Sequence, residues 1–167
     1  DAFLRGEYEL KPVMQAPEGM FDSKKYFTIR DGLYVFPEFT RQIVLAYQHL
    51  ILKRGIEDVD HVDLYSNMDD CEIIAKCLGG DEEARKHSFT PDQFADLIDA
   101  QRGGTSGVLL NNGYSNILYV IGKYGVLVPV LVRWDSVYSS WQVDVFRLGI
   151  GCWSAGDRVF RNKCSAV

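Results

Sequence analysis

The stretch from Val126 to Trp134 constrains this chain more than any other. Side chains of an extended strand point alternately to opposite faces. Val128, Val130, Val132 and Trp134 therefore share one face, and Leu127, Leu131 and Arg133 share the other. Both faces are largely apolar, so the strand must be covered on both sides, or must line a cavity or a partner surface. Helices that precede it in the chain can supply one cover. The second cover is open to three candidates, in this order: the N-terminal arm, a subunit interface, or a ligand pocket. Pro129 lacks an N–H, so its strand lies at an edge, is bulged, or turns that position outward.

The same β texture extends over residues 107–162. Ile117 to Ile121 and Val126 to Trp134 flank Gly122-Lys123-Tyr124-Gly125, a hairpin signal. Trp141 to Leu148 follows a polar turn, and Arg158 to Arg161 makes a last short strand. Residues 37–103 read as helical. Pro37 suits a first helical turn, and Phe39, Ile43, Ala46 and Leu50 recur at i, i+4, i+7 and i+11. That spacing predicts a helix over 38–54, ended by Gly55. Asp69 with Glu72 forms a capping box for a second helix, Asp70 to Leu78, which Gly79-Gly80 ends. Thr90 with Gln93 starts a third, stopped by Gly103-Gly104. Residues 24–36 read as a β-hairpin turning at Asp31-Gly32, and 1–23 as a surface arm with one short strand. The expected architecture is a single α+β domain over 1–167: an antiparallel meander of about four to six strands, with about three helices packed on one face.

A chain of 167 residues, 47% of them apolar, buries about 70% of its unfolded surface and needs neither disulfide nor metal for stability. Its net charge of -5 disfavours a nucleic-acid coat and a binder of anionic membranes. The charge is unevenly spread. Residues 1–100 hold 20 of the 23 carboxylates, and residues 101–167 combine 7 Lys and Arg with only 3 acids. Between Glu57 and Asp99, 13 carboxylates face only Lys76, Arg85 and Lys86. Packing of the two halves would neutralise part of this acid and leave the rest solvated. A sharper reading makes 57–99 the surface that meets a basic protein partner, or that mimics a nucleic acid as an antitoxin-like inhibitor does. The longest apolar stretch, Ile117 to Val132, is broken by Gly122, Lys123, Gly125 and Pro129 and does not read as a membrane span. Cys71, Cys77, Cys152 and Cys164 make no CxxC pair, which fits reduced thiols in a cytoplasmic protein. The chain opens at Asp1 instead of Met, so the missing signal peptide carries little weight.

No residue set reaches a diagnostic catalytic motif, and no catalytic residue or cofactor is assigned. Cys71, near the start of a helix, is the best nucleophile candidate, since a helix N-terminus lowers a thiol pKa. No histidine comes after His87, however, so the sheet supplies no imidazole to it. In an extended Val59 to Leu64, His61 and Asp63 share a face opposite Asp60. They are the best start of a metal site, to which Glu57, Asp69 or Asp70 can add oxygens after a turn, and they suggest a small metal-dependent hydrolase. Asp144 reads as half of a cross-strand ion pair with Arg133 or Arg147. Gly103-Gly104-Thr105-Ser106-Gly107 lacks the Lys-Ser/Thr ending of a phosphate loop and reads as a flexible connector. The β half is rich in rings and guanidinium groups, and Arg133, Trp134, Tyr138, Trp141, Arg147 and Trp153 form the candidate ligand-binding set.

The segments from Trp141 to Phe146 and from Trp153 to Asn162 resemble the C-terminal strands of small uncharacterised proteins from phages and other mobile elements. Such proteins share no activity, so the resemblance implies an accessory protein and transfers no functional residue. The leading expectation is a small non-catalytic binding protein. Its small-molecule or protein ligand would meet the second sheet face or the acidic 57–99 surface, with self-association through the sheet as a further option.

Overall fold

A mixed six-stranded sheet carries the fold. The computed structural model describes residues 17–163. In chain order its first elements are β1 (Met20–Phe21), α1 (Ser23–Tyr26), β2 (Leu33–Val35), α2 (Pro37–Phe39), β3 (Ile51–Leu52), β4 (Val59–Asp63) and β5 (Met68–Asp69). After these come α3 (Asp70–Cys77), α4 (Asp81–Lys86), α5 (Pro91–Asp99), β6 (Asn116–Ile121), β7 (Leu127–Asp135), β8 (Ser140–Val145), β9 (Cys152–Trp153) and β10 (Arg158–Asn162). The sheet order is β2-β8-β7-β6-β10-β4, with β1-β3 and β5-β9 as separate two-stranded ribbons. Residues 1–16 of the expected arm, and Cys164, lie outside the described residues.

The α+β class is as expected, and β6, β7 and β8 form the antiparallel meander that their turns predict. The sheet as a whole is not antiparallel. β2 joins β8 in parallel, β10 joins β6 in parallel, and β4 closes the other edge antiparallel to β10. Long-range pairing is what short-range turn signals cannot specify. Pro129 sits in a central strand, not at an edge. Its carbonyl accepts from Phe146 N–H at 3.2 Å, so its nitrogen faces β8 just past Val130↔Val145, where the ladder begins. The N–H that proline lacks would have faced Phe146 C=O, so the loss falls on the terminal pair of the ladder and not within it.

Helices cover both faces, in place of the single helical layer expected. On one face Phe39, Ile43, Phe94 and Leu97 pack on Val130, Val132, Trp141 and Val143. On the other, Ile73 and Ile74 of α3 and Ala84 of α4 pack with Ile117, Tyr119, Leu131 and Val159, joined by Met68 and Trp153 from the β5-β9 ribbon. The second cover is therefore supplied in large part by α3, α4 and that ribbon. Both capping boxes form: Glu72 N–H donates to Asp69 at 2.8 Å, and Gln93 Oε1 accepts from Thr90 N–H at 3.0 Å.

Two local expectations fail for physical reasons. The helix over 38–54 is shorter than expected: Leu45 N–H bonds to Thr40 C=O at 3.1 Å, an i+5 turn, and one further turn follows, with Tyr47 N–H on Ile43 C=O at 3.0 Å. The extra residue rotates the later side chains relative to a 3.6-residue register. Val44 enters the core, while Leu50, on the predicted stripe, is exposed, and the chain proceeds into β3. The hairpin over 24–36 keeps only its turn. Arg30 and Leu33 exchange backbone bonds around Asp31-Gly32, with Gly32 at φ +84°. Its first arm forms no strand: α1, capped by Asp22, runs through Tyr26 and 27–29 are irregular, while Tyr26 and Phe27 pack into a ring cluster with Phe21 and Phe39. Its second arm is β2.

Candidate functional site

The segment proposed to start a metal site is a ladder of ion pairs. β4 does alternate as expected, with His61 and Asp63 on one face and Asp60 on the other, but β10 lies beside it. Asp63 takes the Arg158 guanidinium at 2.6 and 3.1 Å, and Asp60 takes Arg161 at 2.8 and 3.0 Å. Hydrogen bonding from Arg158 holds the Asp63 carboxyl below its ordinary range. Burial works to raise Asp60, yet Arg161 and Lys163 bring it below the ordinary value as well. His61 lies against the Phe160 ring, centroids 5.7 Å apart. Among the described residues no group of three His, Cys, Asp or Glu side chains is placed to hold a metal ion. The two halves of the chain do neutralise each other along this edge, as the charge distribution suggests.

The six ring and guanidinium residues do not converge. Trp141 is 1% exposed, with its indole N–H bonded to the Gln101 carbonyl at 2.9 Å. Trp153 is also buried, on the opposite sheet face, and donates to Asp70 at 2.8 Å. Trp134 packs edge-on against Trp141 and over Gly104. Arg147 is exposed and lines a cleft of about 690 Å³ at the end of the sheet with Glu38, Tyr124, Val126 and Phe146. Arg133 and Tyr138 remain, and they flank one surface.

That surface is the half of the second sheet face beyond the reach of α3 and α4. β2 lies in register with β8, placing Tyr34 opposite Gln142. β8 lies in register with β7, placing Gln142 opposite Arg133. The three polar side chains of this row hold one another: Arg133 donates to Gln142 Oε1 at 3.0 Å, and Gln142 Nε2 donates to Asp135 at 2.8 Å. The other Asp135 oxygen accepts from the backbone N–H of Val137 and Tyr138, which fixes the turn that presents Tyr138. Tyr34 meets Phe36 edge-on at 4.9 Å, and Tyr138 is 78% exposed. Together with Ile29 and Arg30 they enclose a recess of about 410 Å³ along the β2 edge. Asp144 borders the row. In place of an ion pair with Arg133 or Arg147 it accepts from Val145 N–H at 2.8 Å, and burial, reinforced by the charge of Glu38, raises its carboxyl pKa.

Sequence reasoning placed Arg133 and Tyr138 here but missed Tyr34, Phe36 and Gln142, whose partners lie on other strands. Asp70, by sequence a helix start and a candidate oxygen donor beside His61 and Asp63, is instead a buried acceptor. This carboxylate is 0% exposed and accepts from Tyr119 O–H at 2.6 Å, Trp153 Nε1–H at 2.8 Å and Gly149 N–H at 2.7 Å. Burial, then the bond to Asp70, pushes the Tyr119 phenol far above its ordinary range. The Gly103–Gly107 connector is pinned, not flexible: the buried Gln101 amide donates to the carbonyls of Thr105 and Leu109 and accepts from Leu109 N–H. Cys71 is exposed in the first turn of α3. No helix among the described residues is long and apolar enough to cross a membrane. No family model, no curated protein and no solved structure matches the chain.

Proposed function

We propose that this chain is a non-catalytic binding protein and that the open half of the second sheet face is where its ligand sits. The observation that carries the reading is the row Arg133–Gln142–Asp135, in which each polar side chain is held by its neighbour beside the Tyr34, Phe36 and Tyr138 rings. Side chains already fixed lose little rotamer freedom when a ligand arrives. Ring faces offer stacking area, while the guanidinium, amide and carboxylate fix orientation. This is chemistry for holding a molecule, and it suits a small uncharged ring-bearing ligand. Ligand-observed NMR with a library of such fragments tests it, on the native chain and on a Tyr34→Ala/Tyr138→Ala variant. Hits that disappear with the variant support the site. Hits that persist unchanged, or a library without hits, would sink it.

A basic protein partner at the acidic surface is the second reading, favoured by Asp81, Glu82 and Glu83, which stand exposed together in the first turn of α4. It calls for capture that weakens with salt and with charge reversal at those three positions. Capture indifferent to both removes its basis.

A further inference from the structure

β6 and β10 run parallel, yet they pair only at Arg158↔Asn116 and Val159↔Ile117. Beyond that point Phe89 takes the place beside β6: its N–H donates to Tyr119 C=O at 2.9 Å, and it bridges Val120. The wedge leaves a crevice of about 270 Å³ between the carboxyl end of β10 and the α3–α4 layer. In sheets covered by helices, crevices at the carboxyl ends of parting parallel strands are favoured places for ligands.

The walls differ in charge. Arg161 of β10 and Lys163 just past its end line the crevice, as do Glu83 of α4 and His87 just past its end. Leu78, Ala84, Phe89 and Phe160 supply apolar surface between them. Asp60 grips Arg161 through Nε and Nη2, two of the five N–H groups of a guanidinium, and so orients the fork without using it up. Lys163 Nζ lies 3.3 Å from Asp60. Glu83 is half exposed, with its carboxylate 3.3 Å from His87 Nε2. A simple anion would meet Glu83 as a like charge, and a simple cation would meet Arg161 and Lys163. The volume falls below the roughly 300–1,000 Å³ typical of sites for drug-sized ligands.

We propose that this crevice binds a small zwitterion, an α-amino acid with an apolar side chain. Its carboxylate pairs with Arg161 and Lys163, its ammonium group with Glu83, and its side chain packs on Leu78, Phe89 and Phe160. The thiol of Cys77, which also lines the crevice, is pushed up by burial against the smaller lowering influence of Arg161 and Lys76. It serves as wall, and its slowed reaction with an alkylating agent reports occupancy of the crevice.

Calorimetric titration of the full chain with L-alanine, L-leucine and L-phenylalanine tests the inference, with 3-methylbutylamine and 4-methylpentanoate as leucine analogues that each lack one charge. Alkylation by N-ethylmaleimide, resolved peptide by peptide, locates the ligand, since Cys77 lines the crevice while the exposed Cys71 and Cys152 serve as controls. The expected result has three parts. At least one amino acid binds, both single-charge analogues of leucine bind at least about tenfold more weakly than leucine, and the bound amino acid slows alkylation of Cys77 alone. Arg161→Gln and the surface variant Glu83→Gln each weaken binding by about ten- to a hundredfold, as loss of one charge-assisted contact should. Glu83→Gln keeps the test decisive if Arg161→Gln fails to fold. Absence of binding at millimolar amino acid overturns the inference. So does binding of 4-methylpentanoate as tight as leucine, or binding that leaves the Cys77 rate unchanged.

Discussion

Replacing Asp70 with Asn keeps the side-chain shape and removes its charge and one acceptor. In the native chain Oδ1 takes two donors, from Tyr119 and Trp153, and Oδ2 takes Gly149 N–H. An asparagine can present one oxygen to the first pair, but its amide nitrogen then confronts the Gly149 N–H donor to donor. A buried donor left unsatisfied costs about 1–3 kcal/mol, and each hydrogen bond to a charged group contributes about 1.5–3 kcal/mol before desolvation of the charge is set against it. Since burying a carboxylate beside neutral donors is itself unfavourable, the net loss should be about 2–4 kcal/mol, not the sum of three bonds. For a chain of this size that lowers Tm by roughly 6–12 °C. Tyr119→Phe removes one donor and leaves the carboxylate with two, so it should cost about 1–2 kcal/mol. Urea unfolding of the two variants and the native chain, followed in parallel by circular dichroism and tryptophan fluorescence, measures both. An Asp70→Asn chain as stable as the native one, or less perturbed than Tyr119→Phe, would mean the carboxylate is a tolerated liability and not the clamp that holds the 149–153 loop on α3.

The same geometry carries three further outcomes. The phenols of Tyr26, Tyr47 and Tyr119 are all raised, by burial first and, for Tyr26 and Tyr119, by the neighbouring Asp99 and Asp70 as well. Above pH about 10 the unfolded chain then releases protons that the folded chain keeps, so stability falls as pH rises, by up to about 1.4 kcal/mol per pH unit for each phenol; urea midpoints between pH 9 and 11 check this, and Tyr119→Phe should flatten the slope. Gly103 and Gly104 both sit at φ +74°, but a Cβ on Gly104 would overlap the Trp134 indole, whereas one on Gly103 meets nothing. Gly104→Ala should cost about 2–4 kcal/mol and Gly103→Ala about 1 kcal/mol, with equal losses in thermal melts counting against the packing account. Asp60 and Asp63 are held below their ordinary range, so their contribution is complete at neutral pH and fades as pH falls through the carboxylate range; acid titration of Arg158→Gln should show a smaller loss than the native chain.

What could be read from sequence was local chemistry. The capping boxes at Asp69–Glu72 and Thr90–Gln93 span four residues each, and the Gly122–Gly125 turn joins neighbouring strands, so each signal carries its own partner. The partners of β2, β4 and β10 lie far along the chain: Asp63 meets Arg158 across 95 residues. Alternation correctly set His61 and Asp63 on one face of β4, but no pattern within that segment announces the guanidinium that occupies Asp63. The i+5 turn at Thr40–Val44 leaves the spacing of Phe39 and Ile43 intact and spoils only the positions after it, so the apolar stripe looked longer than the helix. The indoles of Trp141 and Trp153 illustrate the same limit at the candidate site. An indole N–H read from sequence is equally a ligand contact or a core donor, and only the fold supplies the Gln101 carbonyl and the Asp70 carboxylate that settle it.

Both recesses border the short parallel ladders at the flanks of the sheet. The antiparallel meander β6-β7-β8 is joined by long ladders of six pairs each, whereas the parallel additions at its flanks are short: three pairs for β2 on β8, and two for β10 on β6. Parallel neighbours are not tied by a tight turn and gain slightly less per pair, so each can end early without unzipping the meander. Beside the short β2, Gln142 and Arg133 keep a face that no strand or helix among the described residues covers. Where β10 parts from β6, Phe89 fills the backbone line but not the volume above it, and the crevice remains. An early-ending ladder exposes side chains whose positions the longer ladders still fix, and fixed side chains on a rigid element are what a binding site requires. The two proposed sites therefore rest on the same rigid core while using different chemistry, rings and amides at one flank and opposed charges at the other.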